Sequence, residues 1–141
     1  MSKQGAIVVV EDDLDDQEIL QGVIGELSIP NELKFFTNCI DAFTFLKTTE
    51  QQPFLILCDI NLPITTGIEF KAQIDSDPEL RKKSIPFVFL STAADKDTVN
   101  EAYLQLTVQG FFKKSYNIAE YKNIIRAIMD YWILCKHPNS I

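Results

Sequence analysis

Two acidic stretches carry the residue types in this chain best suited to chemistry. Glu11, Asp12 and Asp13 follow an apolar run at residues 6–10, and Asp59 follows another at 54–58. Asp59 poses the sharper question. Leu55-Ile56-Leu57-Cys58 reads as buried strand, and an unpaired ionised carboxylate at the end of a buried strand is expensive. Asp59 therefore needs partners. Carboxylates alone cannot serve one another, since two unit charges about 4 Å apart interact by about 4 kcal/mol at an effective dielectric near 20. A hard divalent cation removes that repulsion. Mg²⁺ suits a site with one or two carboxylates, a carbonyl and several waters.

Whether the acids meet depends on the elements that carry them. Apolar runs at 6–10, 33–36, 54–58, 87–90 and 108–112 alternate with helical patterns. The first, third and fourth are nearly continuous, as in parallel strands covered on both faces. The second and fifth are less uniform and fit positions nearer the sheet edges. Ile19, Leu20, Val23, Ile24 and Leu27 form one helical stripe, and Ile40, Phe43 and Leu46 a second. Tyr121, Ile124, Ile125, Ile128, Met129 and Trp132 form the clearest, opened by Asn117 and Glu120 at capping-box spacing. Helices are also predicted over about 68–75 and 98–106, with Asp77-Pro78 breaking or extending the first.

This alternation predicts an α/β fold, (βα)5, with one doubly wound parallel sheet and right-handed crossovers. A flavodoxin-like strand order 2-1-3-4-5 makes strands 1 and 3 neighbours. Ligands of such sheets gather beyond the C-terminal strand ends, which brings Glu11, Asp12 and Asp59 to one edge. Strand 4 ends there in Ser91-Thr92 and strand 5 in Lys113-Lys114. Capping of the first helix explains an acid such as Asp15 or Asp16. It does not explain Asp59.

The bulk properties narrow the classes. A chain of 141 residues suits one domain, with a core over about 5–135 and a short C-terminal tail. The net charge of −7 repels phosphate backbones, which argues against a nucleic-acid partner. Arg81, Lys82 and Lys83 read as a solvated helix end. No apolar run approaches the roughly 20 residues of a membrane helix, and the start is too short in apolar residues for a signal peptide. A cytoplasmic protein without a membrane partner is expected. Cys39, Cys58 and Cys135 are widely spaced, and His137 is the single histidine, so neither a disulfide framework nor a zinc site is expected.

The combination "VEDD", "LILCDINLP" with Gly67 beyond it, "IPFVFLST" and "GFFKKS" resembles the receiver domain of two-component response regulators. The resemblance covers nearly the whole chain and is nearest to stand-alone receivers without an output domain. It implies a signalling phosphoacceptor rather than an enzyme. Asp59 would take a phosphoryl group from a phosphohistidine on a sensor histidine kinase or a histidine phosphotransfer protein. Asp12 would ligate Mg²⁺ directly and Glu11 through water, with Asp59 and the backbone carbonyl of Asn61 completing the set. Ser91 would be the switch hydroxyl, Lys114 the lysine that pairs with the phosphoryl group, and Phe111 the aromatic coupled to Ser91. The output would be a downstream protein bound on the face of the fourth helix, fifth strand and fifth helix, near Val99, Tyr103, Phe111 and Tyr116.

The residues agree with that chemistry. A carboxylate can form an acyl phosphate, phosphoryl transfer needs mainly positioning and charge neutralisation, and the added charge can order new hydrogen bonds. Side chains alternate along a strand, so Lys114 shares a side with Phe112, and Lys113 with Phe111. The chain departs from the family at Ser115, where proline is usual, and at Thr92, where a small residue is common. Ala93 cannot orient a hydrolytic water. Three rivals fare worse. A haloacid dehalogenase phosphatase wants a second Asp where Asn61 stands, and no cap domain fits. A Rossmann dinucleotide binder wants G-x-G-x-x-G after strand 1. A receiver fold acting only as a binding module leaves the full residue set without a purpose.

Overall fold

The computed structural model describes residues 4–92, 97, 99–100, 104 and 109–135. Strands β1 (Ile7–Val10), β2 (Leu33–Phe36), β3 (Leu55–Cys58), β4 (Phe87–Ser91) and β5 (Gly110–Lys113) form one parallel sheet in the order β2-β1-β3-β4-β5. The order expected from the sequence is the one observed, with the less uniform β2 and β5 at the edges. Every residue of β1, β3 and β4 is buried. A strand covered on both faces has no side from which polar residues can reach water, so its sequence loses alternation.

Each face of the sheet has its own core. Val8, Val10, Ile56, Cys58, Phe87 and Phe89 pack with Cys39, Ala42 and Leu46 of α2 (Cys39–Thr48), Phe70 and Ile74 of α3 (Gly67–Ser76), and Leu80 of α4 (Pro78–Lys83). Ile7, Val9, Leu55, Leu57, Val88 and Leu90 pack with Leu20, Val23 and Ile24 of α1 (Leu14–Glu26) and Tyr121, Ile125, Ile128 and Met129 of α5 (Ile118–Leu134). No helix among the described residues is long and apolar enough to cross a membrane.

Two local expectations need correction. The α2 stripe runs through Cys39, Ala42 and Leu46, while Ile40 is 59% exposed. Small residues facing the sheet let the helix lie close to β1 and β2, which turns Ile40 outward. The expected capping box at Asn117 is half formed. The Asn117 side chain accepts from the Glu120 N–H, but the Glu120 carboxylate accepts from the Ser115 hydroxyl, which in turn accepts from the Asn117 N–H. A complete box stands instead at Thr66 and Glu69, opening α3.

Asp77-Pro78 breaks the third crossover. Asp77 is extended, as a residue before proline must be, and its side chain caps α4 by accepting from the N–H groups of Glu79 and Leu80. The basic end of α4 is only partly solvated, because Lys83 donates to the carbonyls of Leu46 and Thr49 at the end of α2. The Lys114–Ser115 peptide bond is trans. The helix expected over 98–106, Ala93, Tyr103, His137 and the tail from 136 lie wholly or mostly outside the described residues.

Candidate functional site

The registers of the central strands fix the site. Ile7 of β1 pairs with Leu55 of β3, and Val10 with Cys58, so both strands end at the same level. The next residue on each is a carboxylate. The Asp59 N–H donates to the Val10 carbonyl at 3.0 Å, and the Glu11 N–H to the Phe36 carbonyl at 2.9 Å. These bonds place Glu11 and Asp59 side by side at the C-terminal edge. On the other flank the Lys114 N–H donates to the Ser91 carbonyl at 3.0 Å, which ties the end of β5 to the end of β4.

The side chains converge on Asp59, which is 8% exposed. Its Oδ1 accepts from the Ser91 hydroxyl at 2.7 Å and from the Asn61 N–H at 3.2 Å. Its Oδ2 lies 3.2 Å from Lys114 Nζ. The Lys114 ammonium also contacts Glu11 Oε1 and lies 3.1 Å from Asp16 Oδ2. An ammonium has three N–H donors, and here each meets one carboxylate. The question posed by a carboxylate at the end of a buried strand thus has a direct answer. Asp59 is held by a buried hydroxyl, a backbone N–H and a cation.

Charge shapes the proton affinities. Burial pushes the Glu11 carboxyl up to about 7, against the pull of Lys114 and with a further push from Asp59. Burial acts to depress the Lys114 ammonium, yet its bonds to Glu11, Asp59 and Asp16 outweigh that and hold it above the ordinary lysine range. Burial raises the Cys58 thiol well above its usual value and takes Cys39 up to about 11, so neither supplies a reactive thiolate.

A divalent cation fits the remaining geometry. Glu11, Asp12 and Asp59 each bring one carboxylate oxygen within 4.8 Å of the others. Asp12 is exposed, which leaves a solvent side on which an ion keeps water ligands. Hard oxygen donors without sulfur or imidazole select an ion of the Mg²⁺ or Mn²⁺ kind.

The structure therefore gathers Glu11, Asp12, Asp59, Asn61, Ser91 and Lys114 at one place. Phe111 stands one layer below. It pairs in register with Phe89, 5.8 Å between ring centroids, and is half-buried. Lys113 is exposed. Thr92 is exposed next to Ser91. Asp13, whose role the sequence left open, is the N-cap of α1 and accepts from the N–H groups of Asp15 and Asp16. Two contacts at the site escaped the sequence reading, which took Asp16 only as a helix-capping acid. Asp16 reaches Lys114, and Gln17 donates to the Glu11 carbonyl at 2.6 Å. Their spacing, five and six residues beyond Glu11, is the available signal: it is the distance at which the first helical turn folds back over the strand end.

Known proteins share this arrangement. The profile of the response regulator receiver domain matches residues 7–126. Response regulator Rcp1 of Synechocystis is 32% identical over 132 residues, 90% of this chain and 88% of that protein. The crystal structure of the phosphorylated cyanobacterial phytochrome response regulator RcpA superposes with a TM-score of 0.84 at 30% identity, over 97% of this chain and 99% of that one. The Mn²⁺-bound form of Rcp1 gives 0.81 at 30% identity, over 96% and 99%. With this match over most of its length, the chain belongs to the receiver-domain family of two-component response regulators, whose members act as signalling phosphoacceptors.

Proposed function

We propose that Asp59 is the phosphoacceptor of this response regulator receiver domain. The observation that carries this reading is the set of contacts on Asp59: Ser91 at 2.7 Å and Lys114 at 3.2 Å, with Glu11 and Asp12 alongside. An oxygen of Asp59 attacks the phosphorus of a phosphohistidine on a histidine kinase or phosphotransfer protein. The oxygen–phosphorus bond forms, the phosphorus–nitrogen bond breaks, and its electron pair returns to the imidazole, which takes up a proton. The Ser91 hydroxyl and the Lys114 ammonium, both in contact with Asp59, bind phosphoryl oxygens in this reading. Asp12, Asp59 and the Asn61 carbonyl would hold Mg²⁺ directly and Glu11 through water, and the ion would neutralise developing charge. The signal leaves by a protein contact on the face that includes β5 and α5, where Tyr116 is exposed.

The test is intact mass after incubation with acetyl phosphate and Mg²⁺. The parent is expected to gain one phosphoryl group, and Asp59→Asn none. Equal phosphorylation of both would remove Asp59 from the role.

The two lysines should part company in the same assay. A guanidinium is a planar fork and does not reproduce a point charge shared three ways. Lys114→Arg is expected to accept the group on Asp59 yet lose most of the phosphorylation-dependent change in amide exchange over β5 and the start of α5. Exposed Lys113→Arg should match the parent. A loss confined to Lys113→Arg would contradict the assignment.

A further inference from the structure

Lys114 is one cation shared among three carboxylates, and one of them lies outside the metal-binding group. Asp16 stands in the first turn of α1. An acid at that position needs no partner, since the helix dipole already favours it. Asp15 beside it is exposed. Asp16 instead turns inward. Its side chain is 23% exposed and meets the ammonium of Lys114, whose side chain is 7% exposed. Its backbone is fixed by the Asp13 cap at 3.1 Å, and the next residue, Gln17, holds the Glu11 carbonyl at 2.6 Å. The contact is therefore built into the fold rather than left to a flexible surface chain.

A phosphoryl group on Asp59 brings a charge of about −1.5 to −2 and three acceptor oxygens. Lys114 can turn to them only as far as its present partners release it. Glu11 and Asp59 belong to the group that would receive the ion and the phosphoryl group, whereas Asp16 lies outside it. Taking Asp59 as the acceptor, we propose that Asp16 is a counter-charge that competes with the phosphoryl group for Lys114, and so sets how readily Asp59 accepts and keeps that group. A residue that merely aimed Lys114 at the phosphoryl group would have the opposite sign: its loss would weaken phosphoryl binding.

Trifluoroberyllate, which forms a tetrahedral adduct on a carboxylate oxygen, separates the two. It is titrated at fixed Mg²⁺ into the parent, Asp16→Asn, Asp16→Glu and Asp15→Asn, with binding read by fluorine NMR. Asp16→Asn is expected to bind about fivefold more tightly, the scale of a partly exposed ion pair. Asp16→Glu keeps the charge and should return to the parent value. Asp15→Asn removes the same charge from the same turn without touching Lys114, and solvent screening should hold its shift below about twofold. The Lys114 ammonium protons should also exchange faster in Asp16→Asn, a readout that needs no adduct. Unchanged or weaker binding in Asp16→Asn, or an equal gain in Asp15→Asn, overturns the counter-charge role while leaving Asp59 as acceptor. No adduct on the parent chain, matching Asp59→Asn, overturns the reading of Asp59 and this role with it.

Discussion

Asp12→Ala is expected to lower the affinity for Mg²⁺ by about a hundredfold while leaving the metal-free protein at least as stable as the parent. The two effects share one cause. Asp12 is the exposed member of three carboxylates whose oxygens lie within 4.8 Å of one another. Without an ion it adds only repulsion, because Lys114 already serves Glu11, Asp16 and Asp59. With an ion it would be the ligand with the freest approach. Loss of even an outer-shell partner costs about 10- to 100-fold in metal affinity, and a direct ligand belongs at the upper end. Calorimetric titration with Mg²⁺ and urea unfolding without it measure the two halves. Unchanged affinity would remove Asp12 from the ligand set.

Gly67→Ala is expected to cost about 3 kcal/mol, in the upper part of the range for overpacking. The chain leaves β3, passes Asn61 and Pro63, and returns so that the Gly67 N–H donates to the Ile60 carbonyl at 2.8 Å. A Cβ on Gly67 would stand 2.3 Å from the Asp59 carbonyl oxygen and 2.9 Å from Ile60 Cα. Both are backbone atoms that cannot swing aside. Relief requires the turn to open, and the turn carries Asp59. The substitution should therefore slow phosphorylation by acetyl phosphate as well as lower the urea midpoint. Gly22→Ala is the contrast. It lies inside α1 with nothing within 4 Å of the added carbon, and a gain of about 0.5 to 1 kcal/mol is expected from helix propensity alone. Equal stability of the Gly67 and Gly22 variants would contradict the close approach.

What the sequence made legible was the frame and the converging acids, hydroxyl and lysine. Continuous apolar runs mark buried parallel strands, and their polar ends mark the edge where a site forms. Lys114 rather than Lys113 followed from strand alternation and the family pattern together. On α2, Phe43 and Leu46 face the core as expected and only Ile40 was misjudged, because periodicity weighs it more heavily than the small Cys39 and Ala42 that let the helix approach the sheet. The Asn117 capping box was overcalled because Ser115 intercepts the Glu120 carboxylate, a contact set by the entry of α5 rather than by spacing. Thr66 and Glu69 had that spacing in plain view at the start of the helix expected over 68–75, and only their capping box went unread. Asp16 was read as a helix-dipole acid because its second partner, Lys114, lies 98 residues away in the chain. Such contacts depend on strand register, which sequence patterns specify only after the topology is known.

The most direct measurement is to trap the acyl phosphate and locate it. The protein is phosphorylated with acetyl phosphate and Mg²⁺, reduced with borohydride, which converts an aspartyl phosphate to homoserine, and digested for peptide mass analysis. Homoserine at position 59, and nowhere else, is the predicted result. Homoserine at Asp12, Asp13 or Asp16 with an unmodified Asp59 would contradict the account.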